Sequence, residues 1–449
     1  MIDTLERPRS YLKLMVLVGL LGIISAVITF VFIIVVNQGI RLLWEEAAQA
    51  IGLDRRLFTL LVCTLGGLLV GLLVKIFGDH TGIFAEIIQE FGKTGRFDYR
   101  NAPGIVITAL VSLISGASLG PEAPLADATG GIGTWLSDRL KLNDNETRTM
   151  GFGGFSSMLG AFITSPFGGA ILTLEMAAGG ESAGPVYFWG LFPSLLASAV
   201  ATVVFVWLAG GFFQTLYAFP DYTPRLLDLL VAVPFALLGG LAGVVFMLLL
   251  RGLRKLVQPM KSHVVWRGLI GGLGMGIIGA LLPLTLFSGE AETLDLIAQA
   301  TEIGFWMLLL LAVAKLFATS FMLATGWKGG YLFPIMFAGI ALGMSGKVLF
   351  PSIPTAVPVA AALAGALTAA LRAPLFAALF TLAMVQAETA PVVAVSVLAG
   401  ALLTAVLGQR MTRRAQAKAQ SVADQSQSQQ PQEPHETESV ERAKEGGAR

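Results

Sequence analysis

The sequence predicts an all-α polytopic membrane protein assembled from two copies of one unit of broken helices. Three observations carry this expectation. The composition is too apolar for a water-soluble chain of this length, apolar stretches follow one another with short polar breaks, and a set of Gly/Pro interruptions recurs at a nearly fixed offset.

Composition sets the solvent. Of 449 residues, 55% are hydrophobic and 13% charged, with a mean hydropathy of +0.75. Soluble domains carry about 25% charged residues, so lipid must contact much of this surface. The net charge of +1 leaves no basic excess for nucleic acid. The single cysteine, Cys63, excludes an intramolecular disulfide framework and a Cys-rich metal site. His80, His263 and His435 are widely spaced and match no metal motif, so neither metal nor cofactor is expected.

The apolar pattern gives the segments. Roughly 20 residues at about 1.5 Å each cross a bilayer core. Long stretches cover residues 14–36, 57–74, 151–174, 185–213, 229–250, 268–287, 304–324 and 391–406. The first is too long for a signal peptide and lacks an A-x-A exit, so it reads as an uncleaved membrane helix. Shorter stretches, 82–91, 105–119, 125–136, 331–342, 357–371 and 375–385, are too short to cross upright and come in pairs broken by Gly or Pro. The expected transport domain is 1–410, with repeat one over about 12–213 and repeat two over about 225–408. Residues 411–449, rich in Gln, Ser and Glu, form a polar tail expected to be disordered. Arg7, Arg9 and Lys13 at the start, and Arg410, Arg413, Arg414 and Lys418 after the last segment, predict cytoplasmic termini in the cell membrane.

The repeat rests on three pairs of matching segments. Gly120-Pro121-Glu122-Ala123-Pro124 pairs with Gly330-Tyr331-Leu332-Phe333-Pro334 as a Gly-x-x-x-Pro break before an apolar segment. Ser165-Pro166-Phe167 pairs with Ala373-Pro374-Leu375, and Thr173-Leu174-Glu175-Met176 with Thr381-Leu382-Ala383-Met384, all at offsets of 208–210 residues. A helix end inside a bilayer exposes unpaired N–H groups that lipid cannot satisfy, so it must face protein or a wet cavity. Its partial positive charge favours an anion there.

Glu122 is the candidate gate. A carboxylate at this depth is costly to ionise unless something positive faces it, and the N-terminus of the following segment supplies such a field. It can sit as a tethered anion, displaced by protonation or by a mobile anion. The bland alternative is a capping role alone.

The ordered motifs resemble the CLC family of chloride channels and chloride/proton exchangers. Gly116-Ala117-Ser118-Leu119-Gly120-Pro121-Glu122-Ala123-Pro124, continuing to Gly130-Gly131-Ile132-Gly133, is similar to the family's Gly-Lys/Arg-Glu-Gly-Pro signature. His80-Thr81-Gly82-Ile83-Phe84 resembles its Gly-Ser-Gly-Ile-Pro, Gly330 to Pro334 its Gly-x-Phe-x-Pro, and Arg372-Ala373-Pro374-Leu375 its late Arg-Ala-Pro-Leu. The likeness spans residues 10 to 410 and implies a CLC-like inverted repeat of broken and tilted helices, a homodimer, and one pore per subunit. It implies that Glu122 is the gating glutamate. The implied anion-binding residues are Thr81, Gly82, Ile83, Pro121, Glu122, Ala123, Tyr331, Leu332 and Phe333.

Departures from the family pattern bear on mechanism. Thr81 keeps a hydroxyl in place of serine, Phe84 stands where the family has Pro, Ala123 replaces Gly, and Pro121 replaces the basic residue. Glu175 fits the first position of an acidic pair and Met176 the second, where proton-coupled members carry glutamate. The family's C-terminal tyrosine has no match, since the last tyrosine is Tyr331. These losses favour passive conduction of chloride over exchange. A chloride/proton antiporter, with protons as second substrate, and a secondary transporter of another anion remain the alternatives.

Lesser candidates complete the reading. Asp127 is a first-turn carboxylate or the partner of Glu122 in a proton-sensitive pair. Lys315 is expected to face protein and bind a carboxylate or carbonyls, or to draw anions. Lys328 either raises local anion concentration or snorkels. His80 is expected at a loop edge. The Gly-x-x-x-Gly pairs at 67/71, 239/243 and 272/276 are expected close-packing faces. A serine hydrolase is the rival class, because Ser118 and Ser182 both lie in G-x-S-x-G, but the chemistry needs a histidine in reach.

Overall fold

The computed structural model describes residues 8–80, 84–177, 186–210 and 217–428. Thr81, Gly82 and Ile83 therefore lie outside the described residues, as does Ser182. The chain divides into a unit over residues 1–403 and a second over 404–449.

The first repeat begins with α1 (Pro8–Ile40), continued by wider-wound turns to Ile51, and α2 (Arg55–Phe77). It goes on with α3 (Phe84–Thr94), α4 (Ala102–Ile114), α5 (Glu122–Leu140), α6 (Asp144–Ile163), α7 (Pro166–Ala177) and α8 (Phe192–Ala209). The second repeat comprises α9 (Leu226–Val257), α10 (Val264–Leu281), α11 (Glu290–Ala298), α12 (Phe305–Ala324), α13 (Leu332–Leu349), α14 (Ala356–Leu371), α15 (Pro374–Met384) and α16 (Ala390–Ser428). Among the described residues, eight helices are long and apolar enough to cross a membrane.

The two repeats bend at equivalent residues. Gly116 has φ of 89° and Gly326 φ of 91°, each ending the helix that precedes a break. Thr164 and Arg372, at φ of 51° and 56°, take the left-handed conformation without being glycine, and each is followed two residues later by a helix-opening proline. Such conformations cost about 1–3 kcal/mol each unless the surroundings enforce them. Their recurrence at offsets of 208–210 residues marks the fold rather than accident.

Three segment boundaries differ from the sequence expectation. Residues 151–174 are not one span, because left-handed Thr164 ends α6 and Pro166 opens α7. The stretch read as 331–342 is longer: α13 runs to Leu349, since Gly343 and Gly346 sit where α14 and Phe235 approach its backbone and do not break it. Helix also continues to Ser428, past the expected start of a disordered tail at 411. Arg, Ala, Gln and Lys are strong helix formers, and no proline follows until Pro431. Residues 429–449 lie outside the described set.

Helix starts divide into two kinds. At the polar starts of α2 and α6, side chains satisfy free N–H groups. Asp54 accepts from Arg56 N at 3.0 Å, and Asn143 forms a reciprocal capping box with Glu146. At the interior breaks no side-chain cap exists: α5 follows Pro121 and α13 follows Tyr331 with no capping hydrogen bond from either. Their amides are left for something else.

Glycine faces let the backbones that hold these breaks approach. A Cβ on Gly67 would meet the carbonyl of Gly268, and one on Gly268 would lie 2.9 Å from Gly71 Cα, so α2 and α10 touch main chain to main chain. Gly239 and Gly243 of α9 stand likewise against Ala362 and Ala366 of α14. Gly272→Val forces a branched side chain into the carbonyl of Cys63 and is expected to lower stability by about 1–3 kcal/mol. Gly252→Ala, with nothing near its Cβ, should be neutral or stabilising by up to about 1 kcal/mol. Thermal unfolding of both variants in detergent checks the contrast.

Candidate anion pathway

The two uncapped helix starts meet. Gly120 N donates to Gly330 O at 2.9 Å and Gly330 N returns the bond to Gly120 O at 2.6 Å, an antiparallel bridge between the equivalent residues of the two repeats. Glu122 lies at this junction, fully buried. Its Oε1 accepts from Leu332 N at 2.6 Å, so a carboxylate at the start of α5 is bound by the first amide of α13. Its Oε2 is buried without a partner. The carboxylate rests against both glycines: a Cβ on either Gly120 or Gly330 would collide with it. Glycine is required at both positions because the side chain passes between them.

The surrounding residues build the rest of the junction. Pro121 precedes α5 and has no N–H, so it contributes no donor, whereas the first amides of Glu122 and Ala123 have no main-chain partner within their own helix. Tyr331 is buried with its ring 5.2 Å from Phe246, and its hydroxyl has no partner. Phe333 packs edge-on against Phe162 at 5.0 Å. Ser118 and Thr319 tie the two repeats together, with Thr319 Oγ1 donating to Ser118 O at 2.9 Å. Ser118 thus pairs with a threonine and not with a histidine.

Two cavities flank the junction. One, of about 550 Å³, is lined by Asn37, Arg41, Leu119, Pro121, Phe162 and Glu290. The other, of about 370 Å³, is lined by Asp79, His80, Arg254, Lys261, Arg267 and Lys328. Arg41 follows α1 and Asp79 follows α2, so the two cavities lie by the C-terminal ends of successive apolar helices. The second is rich in cations. Lys328 Nζ lies 3.3 Å from Asp79 Oδ1 and also bonds His80 O, and Arg267 Nη2 lies 2.6 Å from Asp79 Oδ2. Two cations thus share one carboxylate, which leaves positive charge beside the approach to Gly330. The sequence reading missed Asp79 and Arg267, although Arg267 is a charge buried at the start of a glycine-rich helix, which was the available signal.

The remaining candidates divide. Lys315 is buried in α12, where its ammonium donates to the carbonyls of Thr285, Leu286 and Phe287 at 2.9–3.1 Å and lies 5.0 Å from the Phe337 ring. With three carbonyl acceptors it holds a turn, not an open anion route. Glu175 Oε1 and Oε2 accept from Leu375 N at 2.7 Å and Phe376 N at 2.8 Å, so the first repeat supplies the missing cap of α15 in the second. Met176 is the next residue of the same helix, which ends at Ala177, and its side chain lies outside the described set. Asp127 is not in the first turn: it is the sixth residue of α5, its Oδ2 has no partner, and it borders a separate small cavity. His80 lies at the loop edge, its Nε2 3.0 Å from Phe77 O.

These features define a class: a multi-pass membrane protein in which two interior helix N-termini from inverted repeats meet around an anionic side chain. A family model described as voltage gated chloride channel matches residues 66–405, and the chain belongs to that family. It is therefore an anion-transport protein, of a family made of channels and transporters rather than enzymes. "Putative ion-transport protein YfeO" of Escherichia coli strain 55989 is 29% identical over 361 residues, 78% of this chain and 83% of its own length. Among solved structures, a slow cyanobacterial Cl⁻/H⁺ antiporter aligns with a TM-score of 0.76 at 21% identity, covering 90% of this chain and 98% of its own. A CLC-type fluoride/proton antiporter aligns at 0.70 with 18% identity, covering 87% and 96%.

The Asp79 cluster carries a pH signature. Burial works to raise the Asp79 carboxyl, but the Lys328 ammonium and Arg267 guanidinium outweigh it and hold it below the usual carboxylate value. A group depressed in the folded state stabilises above its unfolded value of about 3.9 and loses that contribution as pH falls through the folded value. Asp79→Asn should cost about 1–3 kcal/mol at neutral pH and flatten the acid limb of stability. Unfolding midpoints in detergent from about pH 3 to 7 measure both effects.

Proposed function

We propose that the protein carries a small inorganic anion, chloride foremost, between the two cavities along a path gated by Glu122. The observation that carries this reading is the Glu122 carboxylate bound to Leu332 N between two glycines. A side-chain anion there occupies the place a mobile anion would take, on amides that no cap satisfies. Protonation removes its charge, and an arriving anion competes for the same amides. Either event frees the junction. Backbone donors and a hydroxyl at Thr81 suit a small, nearly spherical ion better than a large organic one.

The charges flanking the first and last apolar segments favour a cell-membrane protein with both termini cytoplasmic. In that orientation the Arg41 cavity faces outward and the cationic Lys328 cavity faces the cytoplasm. A homodimer with one path in each subunit is the assembly proposed. Met176 stands where proton-coupled relatives carry glutamate, which supports gated conduction. Proton-coupled exchange is the second reading, favoured by one observation, the unpartnered Asp127.

Glu122→Gln removes the charge and keeps the shape. Chloride efflux from liposomes carrying this variant should persist but no longer vary with pH. Unchanged pH dependence would remove Glu122 from the gate.

A further inference from the structure

The cavity beside Lys328 has more charge and more room than the passage of a halide needs. Its walls hold four cations, Arg254, Lys261, Arg267 and Lys328, against two carboxylates, Asp79 and Glu86, a surplus of two positive charges. Its volume of about 370 Å³ lies within the roughly 300–1,000 Å³ of small-molecule sites. The surplus continues along the chain: Arg251, Arg254, Lys255, Lys261 and Arg267 follow one another with no Asp or Glu between Asp228 and Glu290.

The four cations divide by depth. Arg267 and Lys328 are buried and hold the turn after α12: Arg267 Nε donates to Thr325 O at 3.2 Å, and both side chains share Asp79. Cations at the C-terminal ends of α2 and α12 also suit the helix dipoles, so the fold accounts for these two. The other two lie nearer the surface. Arg254 of α9 is half-buried, with both terminal nitrogens on the two oxygens of Glu86. Lys261, in the turn between α9 and α10, is exposed and has no carboxylate partner among the described residues. No contact of the fold accounts for it.

The charge surplus selects the ligand class. A phosphate monoester carries about −1.5 to −2 at neutral pH, which matches two surplus charges, whereas one halide neutralises half of them. Its oxygens can also accept from an ammonium and a guanidinium at once. The junction would not pass it. Even a Cβ on Gly330 would collide with Glu122, so an ion of that size stays in the cavity.

We propose that the Lys328 cavity is a binding site for a phosphate monoester, gripped by Lys261 and Arg254 in the positive field of Arg267 and Lys328. The site stands on the cavity alone, and its effect on flux rests on the anion-transport reading above. A bound phosphate cancels the surplus that draws anions and fills the approach to Gly330, so it inhibits chloride movement. The headgroup of phosphatidic acid and soluble phosphate esters share this chemistry.

Full-length protein in phosphatidylcholine liposomes tests the site and separates the two sources. Glycerol 3-phosphate on both sides should slow chloride efflux, and gluconate at equal ionic strength should not. Lys261→Gln should raise the concentration needed about tenfold, the loss of one charge-assisted hydrogen bond, and Lys261→Arg should restore it. Phosphatidic acid added to the bilayer identifies a lipid ligand if it slows efflux in the wild type but not in Lys261→Gln. If only glycerol 3-phosphate does so, the ligand is a soluble ester, and either result supports the site. The proposal is overturned if neither probe slows efflux, or if the probes slow Lys261→Gln as strongly as the wild type, which places the block elsewhere. If the wild type moves no chloride, calorimetry of glycerol 3-phosphate with the protein in detergent decides the site by itself. Binding that weakens in Lys261→Gln keeps the site while the anion-transport reading falls, and no binding ends both.

Discussion

Helix ends inside a membrane must have their amides satisfied. Lipid offers no acceptor, and water reaches only where a cavity admits it. In this protein α5 and α13 begin in the interior without side-chain caps, whereas α2 and α6 begin at polar ends with Asp54 and Asn143 in place. The interior pair solves the problem jointly: Glu122 of one repeat accepts from Leu332 of the other. Glu175 does the same for α15 through Leu375 and Phe376. In both cases a carboxylate from the first repeat meets a helix start of the second, so the contacts that stabilise the fold are also where its symmetry is broken. At one of them the proposed function has the carboxylate exchange with a mobile anion. At the other it stays a cap.

Around that junction, close packing and electrostatics serve one end. The glycine faces of α2 against α10 and of α9 against α14 bring backbones together without bulky side chains, which fixes the breaks within a narrow space. The Gly120–Gly330 bridge then sets the separation of the two helix starts to that of a hydrogen-bonded pair. Buried cations are placed by their partners. Lys315 is consumed by three carbonyls, while Lys328 and Arg267 share a single aspartate and leave a positive surplus by the approach.

How much of this was readable before folding depends on the kind of signal. The breaks at Gly120 and Gly330 were legible because Gly and Pro punctuate apolar runs at matching offsets, and Glu122 because a charge in such a run demands an explanation. The proline break at Pro166 was legible too, but not that the chain turns left-handed at Thr164 and so divides the apolar stretch 151–174, since Thr-Ser-Pro carries no glycine to mark the turn. That Lys315 faces protein and binds carbonyls was among the expectations, but which carbonyls was not legible: they come from a turn in which Phe287 has φ of 55°, a conformation no propensity favours. Asp127 was placed in the first turn by counting from Pro124, but the helix opens at Glu122, and two residues of register take it out of that turn. The segment expected to touch the anion at Thr81, Gly82 and Ile83 stands on sequence resemblance alone.

The central claim is that the Glu122 carboxylate occupies an anion-binding position made by the amides of α5 and α13. Crystals of Glu122→Gln grown in bromide, measured at the bromine absorption edge, test it directly. The account predicts an anomalous peak within hydrogen-bonding distance of Leu332 N, between Gly120 and Gly330. A clear structure with the two helix starts together and no bromide between them would contradict it.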